Sequence, residues 1–193
     1  MAAMGMSKNR LEAFSDGVIA IIVTIMVLEL KIPHESSWLA LAPLIPKLLG
    51  YLLSFVIVAI MWVNHHHVMH PVESVDNRLL WANNVMLFWM SLIPFATGYM
   101  SEHYLSPEPV AVYGIDMTLC GLSFTCFRLA AGKRYPRSKT SQPLTFKDIS
   151  SSILYLASIP LAFVSTYVSF AIFAGVALRY LLPKPEKQEN PGA

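Results

Sequence analysis

Residues 17–28 read Gly-Val-Ile-Ala-Ile-Ile-Val-Thr-Ile-Met-Val-Leu, an uncharged run in which Thr24 carries the one hydroxyl. Taken over 11–32 as a helix rising ~1.5 Å per residue, the run covers roughly 33 Å, enough to cross the ~30 Å hydrocarbon of a bilayer. It therefore reads as a membrane span. Its start carries Arg10, Ser15 and Asp16, groups that face protein or water when placed in lipid. The first helix is expected to work and not merely to anchor.

The rest of the chain agrees with this opening. Of its 193 residues 55% are hydrophobic and 13% charged, with mean hydropathy +0.52, whereas a soluble domain carries about 25% charge. The fold class is all-α integral membrane protein. The first run is too long for a signal-peptide core and no small-residue cleavage site follows it, so it is expected to be retained. Apolar runs mark six spans, at 11–32, 44–66, 78–101, 108–131, 148–164 and 166–182. The last two are separated at Ser165-Thr166, because one helix over 149–182 would extend roughly 51 Å, too long for a single crossing. These spans make one domain over 1–183, and the polar, Pro-containing tail 184–193 is expected to be disordered.

Lys and Arg near the span ends fall mainly on one side, leaving Lys31 and Lys47 opposite, which predicts cytoplasmic N- and C-termini and an inner loop over 132–147. Glu29, Glu35, Glu102 and Glu108 then lie outside, where they either gather cations or are simply the charge left by the positive-inside bias. A formal net charge of +2 leaves no footprint for nucleic acid. Cys120 and Cys126 point about 120° apart on one helix and cannot bridge each other.

On the first helix Ile21, Thr24 and Leu28 fall within an arc of roughly 60°, extended by Gly17. Packing against a neighbouring helix explains such a stripe in an arbitrary membrane segment; lining a passage is the alternative. Arg10 and Asp16 are costly at the end of a span unless paired or hydrated, so a polar network is expected, with Ser15, Arg10 or His65 of the second span as donors to Asp16. Trp62 and His65 share a face of that second span near the interface. Among His65, His66, His67 and His70, only the His66–His70 pair has helical ligand spacing, and no added Cys, Asp or Glu completes a metal site. Asn83 and Asn84 in the third span are expected to bond across to neighbours, and Pro94 to bend that span. Asp116 in the fourth is either an ion- or proton-handling group or a hydrogen-bonded structural one.

Arg10-x-x-x-Phe14-Ser15-Asp16 resembles the signature of the transmembrane protein 175 family of potassium channels. The likeness continues through Ala20-Ile21 and Thr24, Trp62-x-x-His65, and Ser91-Leu92-Ile93-Pro94-Phe95-Ala96-Thr97. The resemblance implies six transmembrane helices per subunit and no re-entrant filter loop. It implies a homotetramer of the single-repeat prokaryotic form, with a central pore lined by the first helices. By the same resemblance Ile21 matches a hydrophobic constriction, Thr24 a threonine tied to potassium preference and Leu28 a further apolar ring. Arg10, Phe14, Ser15, Asp16, Trp62 and His65 match the polar network that fixes the pore helix. The implied setting is the cell membrane of a prokaryote, with potassium as the permeant ion and no cofactor or catalysis.

Two other functions stand beside this one. A membrane metalloenzyme of the desaturase type needs several histidine boxes on one side, and His34 and His103 are expected on the other. A proton-coupled transporter using Asp16, His65 and Asp116 shares with a channel the polar interior of a helical bundle.

Overall fold

The computed structural model describes residues 7–134 and 146–182; the tail 184–193 and most of the inner loop lie outside them. The described residues form helices α1 (Lys8–Leu28), α2 (Ile45–Met69), α3 (Asn77–Met90), α4 (Ile93–Glu102), α5 (Pro107–Arg134), α6 (Phe146–Ala162) and α7 (Thr166–Leu181). A 3₁₀ helix, Trp38–Leu44, leads into α2. No strand occurs among them, as expected where lipid offers a backbone no outside partner. Four stretches are long and apolar enough to cross a membrane: α1, the 3₁₀ helix with α2, α3 with α4, and α5. The last two helices are shorter, 17 residues in α6 and 16 in α7.

Local chemistry explains where elements begin and break. Asp76 caps α3 by accepting from the Leu79 N–H at 2.8 Å, and Ser37 starts the 3₁₀ helix by accepting from Ala40 N at 3.3 Å. The third apolar run is interrupted at Ser91-Leu92, two residues before Pro94. Pro94 cannot donate to the Met90 carbonyl and its ring crowds that group, so α3 closes at Met90 and α4 restarts with Pro94 in its first turn. Between α6 and α7 the chain turns through 163–165, where Val164 and Ser165 N–H both bond to the Leu161 carbonyl. Pro160, four positions after Leu156, stands inside the last turn of α6.

Helix α5 is the centre of the bundle, packed on α3, α4, α6 and α7, while α1 packs on α2, α3 and α4. Tyr113 and Phe127 of α5 and Phe173 of α7 are fully buried, with the Tyr113 and Phe173 rings edge to face at 4.9 Å. Thr97 donates to Ser54 Oγ at 2.7 Å, and Ser54 Oγ lies 3.0 Å from the Tyr113 hydroxyl, joining α4, α2 and α5. Lipid is as apolar as the side chains it contacts, so helix association in a membrane depends on such bonds and on close packing of small residues. Gly114 provides that packing, since a Cβ there would meet Ser158 Oγ at 2.7 Å and Ile159 Cγ1 at 3.2 Å.

Candidate pore-lining face and its polar anchor

Helix α1 has two unlike sides. Leu11, Ser15, Ile19, Ile22 and Met26 are buried against the rest of the chain. Around the helix from them, Phe14, Ile21 and Leu28 are 54%, 58% and 78% exposed, and Gly17, Thr24 and Ile25 are exposed with them. The Ile21–Thr24–Leu28 stripe thus faces away from the rest of the chain. The Thr24 hydroxyl donates to the Ile21 carbonyl at 2.8 Å, the backbone bond a membrane threonine commonly makes. With its proton engaged, the oxygen keeps its lone pairs free toward the exposed side.

Two sets of polar contacts fix the rotation of α1. Ser15 donates to the Leu11 carbonyl at 2.9 Å and accepts from Asn83 Nδ2 at 3.0 Å. Asn83 Oδ1 lies 2.9 Å from His65 Nε2; an amide oxygen only accepts, so the imidazole donates. His65 in turn stacks on Phe127, ring centroids 5.0 Å apart and planes 7° off parallel. A single buried chain therefore ties α1, α3, α2 and α5. Beside it, Asp16 Oδ1 accepts from the Trp62 indole N–H at 2.9 Å.

The sequence expectation and the geometry differ in one pairing. Asp16 takes its donor from Trp62 and not from His65 or Arg10, while His65 goes to Asn83. The exposed Arg10 side chain makes no hydrogen bond or ion pair among the described residues and lies on the same side of α1 as Phe14 and Ile21. Asn83, treated in the sequence only as an amide that would find some neighbour, is the joint of the network. Its signal was its place in the series Leu79, Asn83, Met86–Leu87, Met90, the buried stripe of α3.

The remaining candidates lie apart. Asp116 is buried on α5, with Oδ1 4.0 Å from Cys120 Sγ and Oδ2 without a hydrogen-bond partner, and no bond connects it to Asp16 or His65. His66, His67 and His70 are exposed, with the His66 and His70 rings 6.4 Å apart. Among the described residues no three His, Cys, Asp or Glu side chains stand close enough to hold a metal ion. Cys120 and Cys126 are both free thiols.

The profile of the family described as the endosomal/lysosomal potassium channel TMEM175 matches residues 10–94, the stretch that holds the exposed stripe and every polar group of the anchor. A Chryseobacterium protein named as a potassium channel is 41% identical over 181 residues, covering 92% of this chain and 94% of that one. A Streptomyces collinus protein, also named as a potassium channel, is 32% identical over 187 residues, with 90% and 91% covered. The crystal structure of a lysosomal potassium-selective channel TMEM175 homolog from Chamaesiphon minutus superposes with a TM-score of 0.78 at 28% identity, covering 90% of this chain and 96% of that one.

Proposed function

The chain belongs to the TMEM175 family, and on that premise we propose that it is a potassium-permeable cation channel, conducting passively through a central pore lined by the first helices of a homotetramer. Relatives that match nearly end to end are named potassium channels, and the structural neighbour is described as potassium-selective. The observation that carries the reading is the exposure of Ile21, Thr24 and Leu28 on the side of α1 that its own subunit leaves uncovered. In the proposed assembly six spans per subunit place both termini in the cytoplasm of a prokaryotic cell.

Four copies of Ile21 make an apolar ring too narrow for hydrated ions, which gates by dewetting. Thr24 oxygens next to it replace part of the water shell of a cation, and Leu28 forms a second apolar ring toward the far end. The anchor of Ser15, Asp16, Trp62 and His65 holds this face at a fixed rotation, with Phe14 and Arg10 at its mouth. No cofactor and no covalent step enter.

Ion flux from liposomes holding the purified protein tests this, with potassium, sodium and chloride gradients imposed in turn. Cation flux favouring potassium is expected, with Thr24→Ala reducing the preference over sodium and Ile21→Asn giving a more easily wetted, more conductive pore. The proton-coupled transporter has Asp116 on its side, a buried carboxyl with one oxygen unpartnered. Saturable uptake driven by a pH gradient, with conductance untouched by both α1 variants, overturns the channel in its favour.

A further inference from the structure

A cavity of about 280 Å³ lies between α2, α5, α6 and α7, on the side of α2 turned away from Trp62. Its α2 wall runs from Ile57 to Val68 and its α5 wall from Met117 to Arg128. Each wall is roughly 16 Å long, about half the thickness of a bilayer's hydrocarbon. The two ends differ in chemistry. Ile57, Ile60, Met117 and Tyr155 line the deep end, while Asn64, Arg128, Asp148 and Tyr180 line the other. The polar end lies level with the last turns of α2 and α5, where His65 stacks on Phe127, and with the start of α6.

Arg128 has used only part of its fork. Its Nη1 donates to Asp148 Oδ2 at 2.8 Å, whereas Nη2 is buried and has no hydrogen-bond partner. A charged donor left buried and unpaired costs more than an ordinary hydrogen bond contributes, and the planar guanidinium matches a second oxyanion. Asp148 is not the only charge nearby. Lys147 Nζ lies 4.2 Å from the centroid of the Tyr180 ring, and Arg179 donates to Ser150 Oγ at 2.6 Å. The surroundings of this end are net basic.

We propose that the cavity binds an anionic membrane phospholipid, with one acyl chain in the apolar slot and a phosphate oxygen accepting from Arg128 Nη2. A free phosphate would leave the deep half, walled by aliphatic and aromatic side chains, unfilled. The volume, near the lower bound for small-molecule sites, admits a single chain. The lipid belongs to the leaflet on the Arg128 side, and its binding does not depend on the assignment of the pore.

Native mass spectrometry of the full-length protein tests this, after delipidation in detergent and titration with dioleoyl phosphatidylglycerol, dioleoyl phosphatidylcholine or inorganic phosphate. Phosphatidylglycerol is expected to bind about tenfold or more tightly to the wild type than to Arg128→Gln, the loss expected for one charge-assisted hydrogen bond. Arg128→Lys, which keeps the charge without the fork, is expected to recover only part of the loss. Gly121→Leu fills the slot from α5, where a Cβ meets nothing closer than Ser152 Oγ at 3.8 Å. It is expected to weaken binding to a similar degree with Arg128 intact, and it decides the matter if Arg128→Gln fails to fold. Undiminished binding to Gly121→Leu, equal affinity for phosphatidylcholine, or displacement of the lipid by inorganic phosphate alone overturns the proposal.

Discussion

Asn83 joins two groups from different helices: it donates to the Ser15 hydroxyl and accepts from the His65 imidazole, all three buried. Replacing it with Leu keeps the volume and removes both bonds, leaving an imidazole N–H unsatisfied at a cost of about 1–3 kcal/mol. Asn83→Leu is therefore expected to lower the melting temperature of the purified protein, while Trp62→Phe, which breaks a bond open to the surface, is expected to cost less. Equal melting temperatures for wild type and Asn83→Leu would remove Asn83 from the anchor. Thr24 supports a different prediction, since its proton is spent on the Ile21 carbonyl and only its lone pairs face outward. Thr24→Ser keeps that oxygen and is expected to keep the reversal potential in mixed potassium and sodium; isosteric Thr24→Val removes it and is expected to shift the potential toward loss of preference. The stripe containing Thr24 was legible because helical spacing alone sets directions on one helix. The partner of His65 was not, because spacing says nothing of how a neighbouring helix is rotated about its own axis.

Among the elements, α5 shows how little apolar burial has to do with holding this bundle together, because the surrounding lipid is equally apolar. Its contact with α6 depends on Gly114, where a Cβ would lie 2.7 Å from a Ser158 hydroxyl that is itself held 2.6 Å from the Tyr155 carbonyl. Gly114→Ala is expected to destabilise the fold by about 1–3 kcal/mol, as overpacking of a tight contact does. Adding Ser158→Ala removes the nearer of the two obstructions, so the double variant is expected to unfold at a higher temperature than Gly114→Ala alone. Strict additivity of the two changes would show that the helices have room to separate and that the contact is not limiting. The breaks between elements could be anticipated where proline supplied a covalent reason, as at Pro94. The placement of that break two residues earlier follows from which carbonyl the missing N–H would have reached. The close approach at Gly114 left no mark that separates it from any other glycine in an apolar run.

For the molecule as a whole the decisive property is that one helix buries a face with a serine in it and leaves an isoleucine, a threonine and a leucine uncovered. Polar bonds hold membrane helices together in general; in the proposed assembly the bonds of Ser15 and Asp16 also set the rotation that a surface meeting its own copies about an axis requires. In the proposed ring of identical subunits a residue that faces the axis meets its own copies, so cysteines at position 21 converge and motion of the helices brings neighbouring pairs to the ~3.5–4.5 Å Cβ separation of a disulfide. Ile21→Cys, in a background with Cys120 and Cys126 replaced by alanine, is therefore expected to form covalent dimers when oxidised in membranes. Leu156→Cys on α6, where Leu156 is 58% exposed like Ile21, serves as the comparison, because equal exposure without a shared axis gives no fixed partner. Cross-linking at position 156 with none at 21 would place the copies of α1 apart, and with them the pore.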